Sequence, residues 1–192
     1  AGRQIYTPGI EMAAKFIANE FKQNGLATFK NSDSHLQSFT RISAKFISAA
    51  GNFDGNNIDT KNIIAITSEA NVDINEKSGY EVVKISKEDN LFLTVRKYMT
   101  NNKNYLILVD EALGANFGRL VQLKSGLSEQ QKSFFIVLTN QTPTQYKLQA
   151  THKIDKLSLS NVVGIIPGKS LPNEYVIFSG HYDHLGVNGK RA

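Results

Sequence analysis

The five apolar residues Tyr105-Leu-Ile-Leu-Val109 decide the fold class of this chain. Three similar short runs occur at residues 63–66, 82–85 and 134–138. Apolar runs of this length, separated by turn residues and helical patterns, are typical of strands that alternate with helices. The sequence therefore predicts a compact α/β module.

Two helical patterns separate these predicted strands. The first begins at Ser86 and has three apolar residues at helical spacing: Leu91, Val95 and Tyr98. The second has four: Leu113, Phe117, Leu120 and Val121. Apolar residues that recur every three or four positions form one face of a helix. We expect an α/β module over residues 40–159, with further strands from Tyr146 onward.

A third helix is predicted near the amino terminus, over residues 8–24. Thr7 can cap its start, and Pro8 occupies a first-turn position that needs no amide donor. Gly25 is expected to end it. Its apolar face consists of Ile10, Ala13, Ala14, Ile17 and Phe21. A strand containing Leu36 and Phe39 should follow, so residues 1–39 form a helix and a strand.

Composition narrows the function classes. The 192 residues are 41% hydrophobic, and 22 Lys and Arg against 17 Asp and Glu give a net charge of +5 that is spread along the chain. Without a clustered basic stripe, we expect no nucleic-acid partner. The absence of cysteine excludes disulfides and thiol nucleophiles. No run approaches the roughly 20 apolar residues of a membrane-spanning helix, so no membrane span is expected.

The residues with the clearest chemistry are Gly180-His-Tyr-Asp-His-Leu-Gly186. They directly follow the apolar run at residues 175–179, which is predicted to be a buried strand. Functional groups in α/β sheets concentrate at the carboxyl ends of strands. In an extended chain, His181 and Asp183 point to the same side, and a neighbouring carboxylate can orient a histidine that binds a metal.

This spacing alone leaves alternatives open. A His-x-Asp pair after a strand is more often a hydrogen-bonded surface pair than a metal site. The His-x-His-x-Asp-His motif of metallo-β-lactamase-like hydrolases is incomplete, because Ser179 stands at its first histidine position. Asp110 and Glu111 follow another predicted strand, but capping the next helix is their commoner role.

Two longer stretches carry a resemblance to a known family. Asn161-Val-Val-Gly-Ile-Ile-Pro-Gly168, followed by Tyr175-Val-Ile-Phe-Ser-Gly-His-Tyr-Asp-His-Leu-Gly186, resembles the opening of the catalytic domain in zinc aminopeptidases related to the transferrin receptor and glutamate carboxypeptidase. The amino-terminal stretch Tyr6-Thr-Pro-Gly-Ile-Glu-Met-Ala-Ala-Lys-Phe-Ile-Ala-Asn-Glu-Phe looks like that family's leading helix. Together they lie at the two ends of the chain.

The resemblance implies a fold and a site. Residues 160–192 would be the first strands of an α/β/α zinc-exopeptidase domain, and residues 40–159 would be an inserted α/β module of the protease-associated type. His181 would bind one zinc ion of a two-zinc site, with Asp183 orienting it. Tyr182, His184 and Leu185 would not be ligands.

The resemblance also implies an activity, namely hydrolysis of peptide substrates by a secreted or periplasmic metallo-exopeptidase. The family's other metal ligands and its Glu-Glu pair have no counterpart here, so we expect an inactive amino-terminal fragment that binds zinc weakly if at all. A partial sheet would expose an edge and favour self-association. Two other functions stay open: a non-enzymatic binding or accessory domain, and a glutaminyl-cyclase-like transferase on the same scaffold.

Overall fold

The computed structural model describes residues 2–5, 7–29, 32–124, 127–129, 131–171 and 173–187. The last five positions of the predicted region 160–192 lie outside these residues. Within them the chain is a mixed α/β protein. Its elements in chain order are α1 (Pro8–Gln23), β1 (Leu36–Phe53), β2 (Asn56–Asn57), β3 (Ile63–Ile66), β4 (Asn71–Asn75), β5 (Glu81–Ile85), α2 (Leu91–Met99), β6 (Tyr105–Val109), α3 (Gly114–Phe117), β7 (Phe134–Leu138) and β8 (Tyr146–Val162).

These elements belong to two compact units. The central unit comprises residues 41–156, and the terminal unit combines residues 1–40 with 157–192. The long strands β1 and β8 contribute residues to both.

The central unit contains the strands that the apolar runs predict. They form one sheet in the order β3-β7-β6-β5, in which β5, β6 and β7 are parallel and β3 is antiparallel to β7. Three of the predicted strands have the observed bounds, and β5 begins one residue before its predicted start. The prediction of an α/β fold is confirmed at this general level.

Strands β3, β6 and β7 are buried on both faces of this sheet, which explains why these three strands are apolar at every position. Strand β5 is largely exposed and carries Glu81 and Lys84. Along β6, Tyr105, Ile107 and Val109 pack in one cluster with Leu91 and Val95 of α2. The alternate residues, Leu106 and Leu108, pack in a second cluster on the opposite face. Successive side chains of a strand point to opposite faces, so a doubly covered strand needs an unbroken apolar run.

A second sheet, ordered β2-β1-β8-β4, supplies the cover for one of those faces. Strand β4 and the first half of β8 alternate between buried and less buried residues. In β4, Val72 and Ile74 are buried between exposed neighbours, and they join Leu148 and Ala150 of β8 in the second cluster. Such alternation is typical of a sheet with one face toward the core.

The two predicted helices of the central unit differ from the sequence expectation. The start at Ser86 is wrong, because Asp89 accepts hydrogen bonds from the Ser86 amide and hydroxyl in a turn. Helix α2 begins at Leu91, where Asn90 Oδ1 caps the Leu93 amide at 3.1 Å. The second helix is interrupted: α3 spans one turn and lies between the 3₁₀ segments Glu111–Leu113 and Gly118–Lys124.

In the terminal unit, the predicted helix is confirmed as α1 and ends as expected. The Leu26 amide donates to the Phe21 carbonyl at 3.0 Å and the Gly25 amide to Lys22 at 3.1 Å, with Gly25 at φ +70°. These two bonds form a Schellman motif, which glycine accommodates without strain. The predicted cap is wrong: the Thr7 hydroxyl donates to the Gln4 carbonyl at 2.6 Å and caps no helix amide.

The prediction of a buried strand at residues 175–179 is wrong. These residues form no ladder with any described residue, and the side chains of Tyr175, Val176, Ile177 and Phe178 are 71–94% exposed. The preceding strand ends at Val162, after which Ile165 makes only an isolated bridge to Ala27. An apolar run becomes a buried strand only where neighbouring strands pair with it. No helix within the described ranges is both long and apolar enough to cross a bilayer.

Candidate functional site

His181 and Asp183 lie together at the surface of the terminal unit. Their side chains are 80% and 57% exposed. His181 Nδ1 is 3.0 Å from the Asp183 carbonyl oxygen and 3.6 Å from Asp183 Oδ1. The structure therefore brings together the two residues that the His-x-Asp spacing singles out.

The residues that alternate with this pair fix the segment to its unit. The Tyr182 hydroxyl donates to the Ser160 carbonyl, and the His184 amide donates to the Arg3 carbonyl at 2.9 Å. In an extended chain alternate residues point to opposite sides. Tyr182 is thus directed to the terminal unit, while His181 and Asp183 face solvent.

The hydrogen bond of His181 defines which ring nitrogen is free. A carbonyl oxygen can only accept, so Nδ1 carries the proton in its bond to Asp183. Nε2 then has an unshared electron pair directed away from that bond. This is the tautomer that metal-binding histidines use when a second group holds the other nitrogen.

Tyr182 remains a hydrogen-bond donor under ordinary conditions. Burial, assisted by the negative charge of Asp183, raises the pKa of Tyr182 above its usual value of 10.0. The hydroxyl therefore stays protonated at neutral pH. Its bond to the Ser160 carbonyl is thus available at neutral pH.

The end of the segment requires glycine at one position. Gly186 has φ +87°, and a β-carbon there would lie 2.8 Å from Cβ of Gln4. Both observations exclude a larger residue without local rearrangement. Gly180, at the start of the segment, has open space around its Cα. Of these two glycines, Gly186 is therefore the one that the local backbone conformation requires.

The described residues provide one suitable ligand for a zinc ion. His181 Nε2 is a suitable donor, and zinc binds imidazole nitrogen and carboxylate oxygen. Zinc sites in proteins have about four ligands, however. No group of three or more His, Cys, Asp or Glu side chains that could hold a metal ion occurs in the part of the chain that the structure describes.

Asp110 and Glu111 have structural roles. Asp110 Oδ1 accepts from the Ala112 amide at 2.8 Å, which caps the 3₁₀ segment Glu111–Leu113. The Glu111 amide donates to Asn140 Oδ1 at 3.1 Å. The capping interpretation is confirmed for Asp110.

Two buried histidines did not emerge from the sequence. His35 donates from Nδ1 to the Val163 carbonyl at 2.9 Å, and its ring makes an edge contact with Phe21. His152 is buried in the central unit, with no hydrogen-bond partner for either ring nitrogen among the described residues. The alternation Leu148, Ala150, His152 along β8 is the signal that places His152 on the buried face.

No protein-family model matches this chain, and neither does any curated protein or solved structure.

Proposed function

We propose that this chain is the amino-terminal part of a zinc-dependent exopeptidase of the aminopeptidase type, in which His181 binds one of two zinc ions. The observation that carries the proposal is the exposed imidazole of His181, whose Nδ1 is held 3.0 Å from the Asp183 carbonyl. An exposed histidine with no ligand to bind would ordinarily sample several orientations. Here Nδ1 of the ring is hydrogen-bonded to the Asp183 carbonyl.

The arrangement around His181 supports metal binding in two ways. The bond at Nδ1 fixes the tautomer, so Nε2 needs no proton transfer before it binds zinc. The Asp183 carboxylate, 3.6 Å from Nδ1, adds negative charge that favours a nearby cation. Asp183 thus positions the ring through its backbone carbonyl, and its carboxylate contributes negative charge.

The exposed run at residues 175–178 supports a larger assembly around the segment. Contiguous exposed apolar side chains mark surfaces that associate with other protein. If further strands of a sheet pair with this run, His181 comes to lie at the carboxyl end of a buried strand. In open α/β sheets that end is where ligands bind.

A bound metal ion would act as a Lewis acid, and it would lower the pKa of a bound water molecule that attacks a peptide carbonyl. In this proposal His181 is one ligand of the metal, and Asp183 orients the His181 ring. Tyr182 and the His184 amide hold the segment in place. The remaining ligands and the general base come from polypeptide outside the described residues. The chain by itself is then inactive toward peptides.

The test uses the polypeptide extended by its downstream coding sequence, assayed for release of amino-terminal residues from peptide substrates. We expect His181→Ala to abolish hydrolysis. Asp183→Asn should reduce it less, because the backbone carbonyl that holds Nδ1 remains and only the carboxylate charge 3.6 Å from Nδ1 is lost. The matched control His184→Asn should retain activity, because the hydrogen bond to Arg3 uses the backbone amide of His184 and the residue is exposed.

Two results would refute the proposal. One is peptide hydrolysis that persists in the His181→Ala variant. The other is an extended polypeptide that folds, binds no zinc and shows no hydrolysis, which would favour a binding domain on a similar scaffold.

A further inference from the structure

His152 occupies an unusual environment in the central unit. Its side chain is 2% exposed, and neither Nδ1 nor Nε2 has a hydrogen-bond partner in the part of the chain that the structure describes. The backbone of Ala65 comes near the ring but does not meet hydrogen-bond geometry. Buried polar side chains almost always have partners, so an exception calls for an explanation.

The neighbours of His152 include an aromatic ring and a cation. The rings of His152 and Phe46 make an edge contact with centroids 6.0 Å apart. Lys124 Nζ lies 5.0 Å from the centroid of the same Phe46 ring. Phe46 therefore links β8 to the last residue of the 3₁₀ segment Gly118–Lys124.

The other charged groups near His152 are engaged elsewhere or exposed. On β8, Asp155 pairs with Lys45 of β1 at 3.1 Å, and Lys153 is exposed. Glu129 pairs with Lys156 at 2.8 Å, and Glu69, which precedes β4, is exposed. Among the described residues, Lys124 is the charged group whose charge lowers the pKa of His152.

We propose that His152 is an acid-sensitive switch, in which a proton taken from solvent onto its ring expels the ring from beside Phe46 and Lys124 and detaches the Lys124 end of the segment Gly118–Lys124. The neutral ring fits this site as an apolar side chain does. A charged ring there would be desolvated and without a partner, and the positive charge of Lys124 would disfavour it further.

The direction of the pH effect follows from the folded environment. Burial, and then the charge of Lys124, lower the pKa of His152 from its ordinary 6.5. Burial also lowers the pKa of Lys124. Because the open state binds the proton more readily, the closed state loses stability as the pH falls below 6.5. The loss levels off once the pH is below the folded pKa.

Hydrogen exchange of peptides covering Gly118–Lys124, in the 192-residue chain, measures this opening. Exchange at about pH 5 is compared with exchange at about pH 7.5, after correction for intrinsic rates. We expect opening to increase in acid by up to roughly tenfold for each unit by which the folded pKa lies below the unfolded one.

Three variants separate the switch from general acid sensitivity. His152→Phe should lose the acid-dependent opening, because the apolar ring takes no proton. Lys124→Met should retain a smaller response, because one of the two causes of the lowered pKa is removed. The control His184→Asn, which changes an exposed histidine, should respond as the parent chain does.

A titration of the His152 ring by NMR in the unaltered chain keeps the test independent of how the variants fold. A ring that titrates below its ordinary 6.5, together with acid-dependent opening of the segment, supports the switch. Titration at or above that value would overturn it. Acid-dependent opening that persists unchanged in a folded His152→Phe variant would overturn it as well.

Discussion

Two apolar runs of this molecule have similar composition and opposite environments. Tyr105-Leu-Ile-Leu-Val109 forms β6, in which every side chain is buried. Tyr175-Val-Ile-Phe178 is 71–94% exposed. β6 is paired with β5 and β7 and is covered on both faces, whereas the second run has no strand partner among the described residues. An apolar run shows that a strand is suited to burial, but the strand is buried only where neighbouring strands pair with it.

The same contrast applies to the histidines. His152 is surrounded by contacts within its unit, and its chemistry can be argued from them. His181 is oriented by its neighbours but exposed, and its proposed role depends on groups that lie outside the described residues. The contacts around His152 lie within the central unit, whereas the role proposed for His181 requires further ligands.

The largest expected difference between the two runs concerns stability. Phe135→Ala removes a ring buried in the second cluster of the central unit and should lower the free energy of unfolding by about 3–5 kcal/mol. Phe178→Ala removes an exposed ring and should change it by no more than about 0.5 kcal/mol. Denaturant titration of both variants measures the difference. Equal destabilisation would show that residues 175–178 are buried in solution.

A smaller effect is expected on self-association. If residues 175–178 pair between copies, Val176→Lys should weaken the dimer by about 1.5–3 kcal/mol, the contribution of burying one valine side chain. Asn173→Lys adds the same charge at an exposed polar position and serves as the control. Sedimentation equilibrium gives both constants. A parent chain that stays monomeric at high concentration would contradict association through this run.

Much of the central unit could be predicted from sequence because its signals are local. Strands β3, β6 and β7 are buried on both faces, so each is marked by an unbroken apolar run. Helix α1 has its apolar face within its own residues, and its glycine stop, Gly25, lies two residues beyond its end. The start of α2 was harder to predict, because Ser86 and Asn90 are both suitable caps and only the Asp89 turn decides between them.

The histidine contacts also differ in how far the sequence could predict them. The contact of His181 with Asp183 follows from a two-residue spacing in extended chain. The environment of His152 depends on Phe46 and Lys124, which are distant in sequence, so no local pattern could specify it. The relationship to zinc aminopeptidases stays a prediction carried by two stretches of sequence.

Zinc titration of the 192-residue chain, followed at the His181 ring by NMR and by calorimetry, tests the central claim most directly. We expect saturable binding at His181, far weaker than the roughly 10–16 kcal/mol of complete structural zinc sites. Binding should disappear in His181→Ala and persist in His184→Asn. A tight stoichiometric site, or binding that survives in His181→Ala, would contradict the assignment of His181 as one ligand of a shell completed elsewhere.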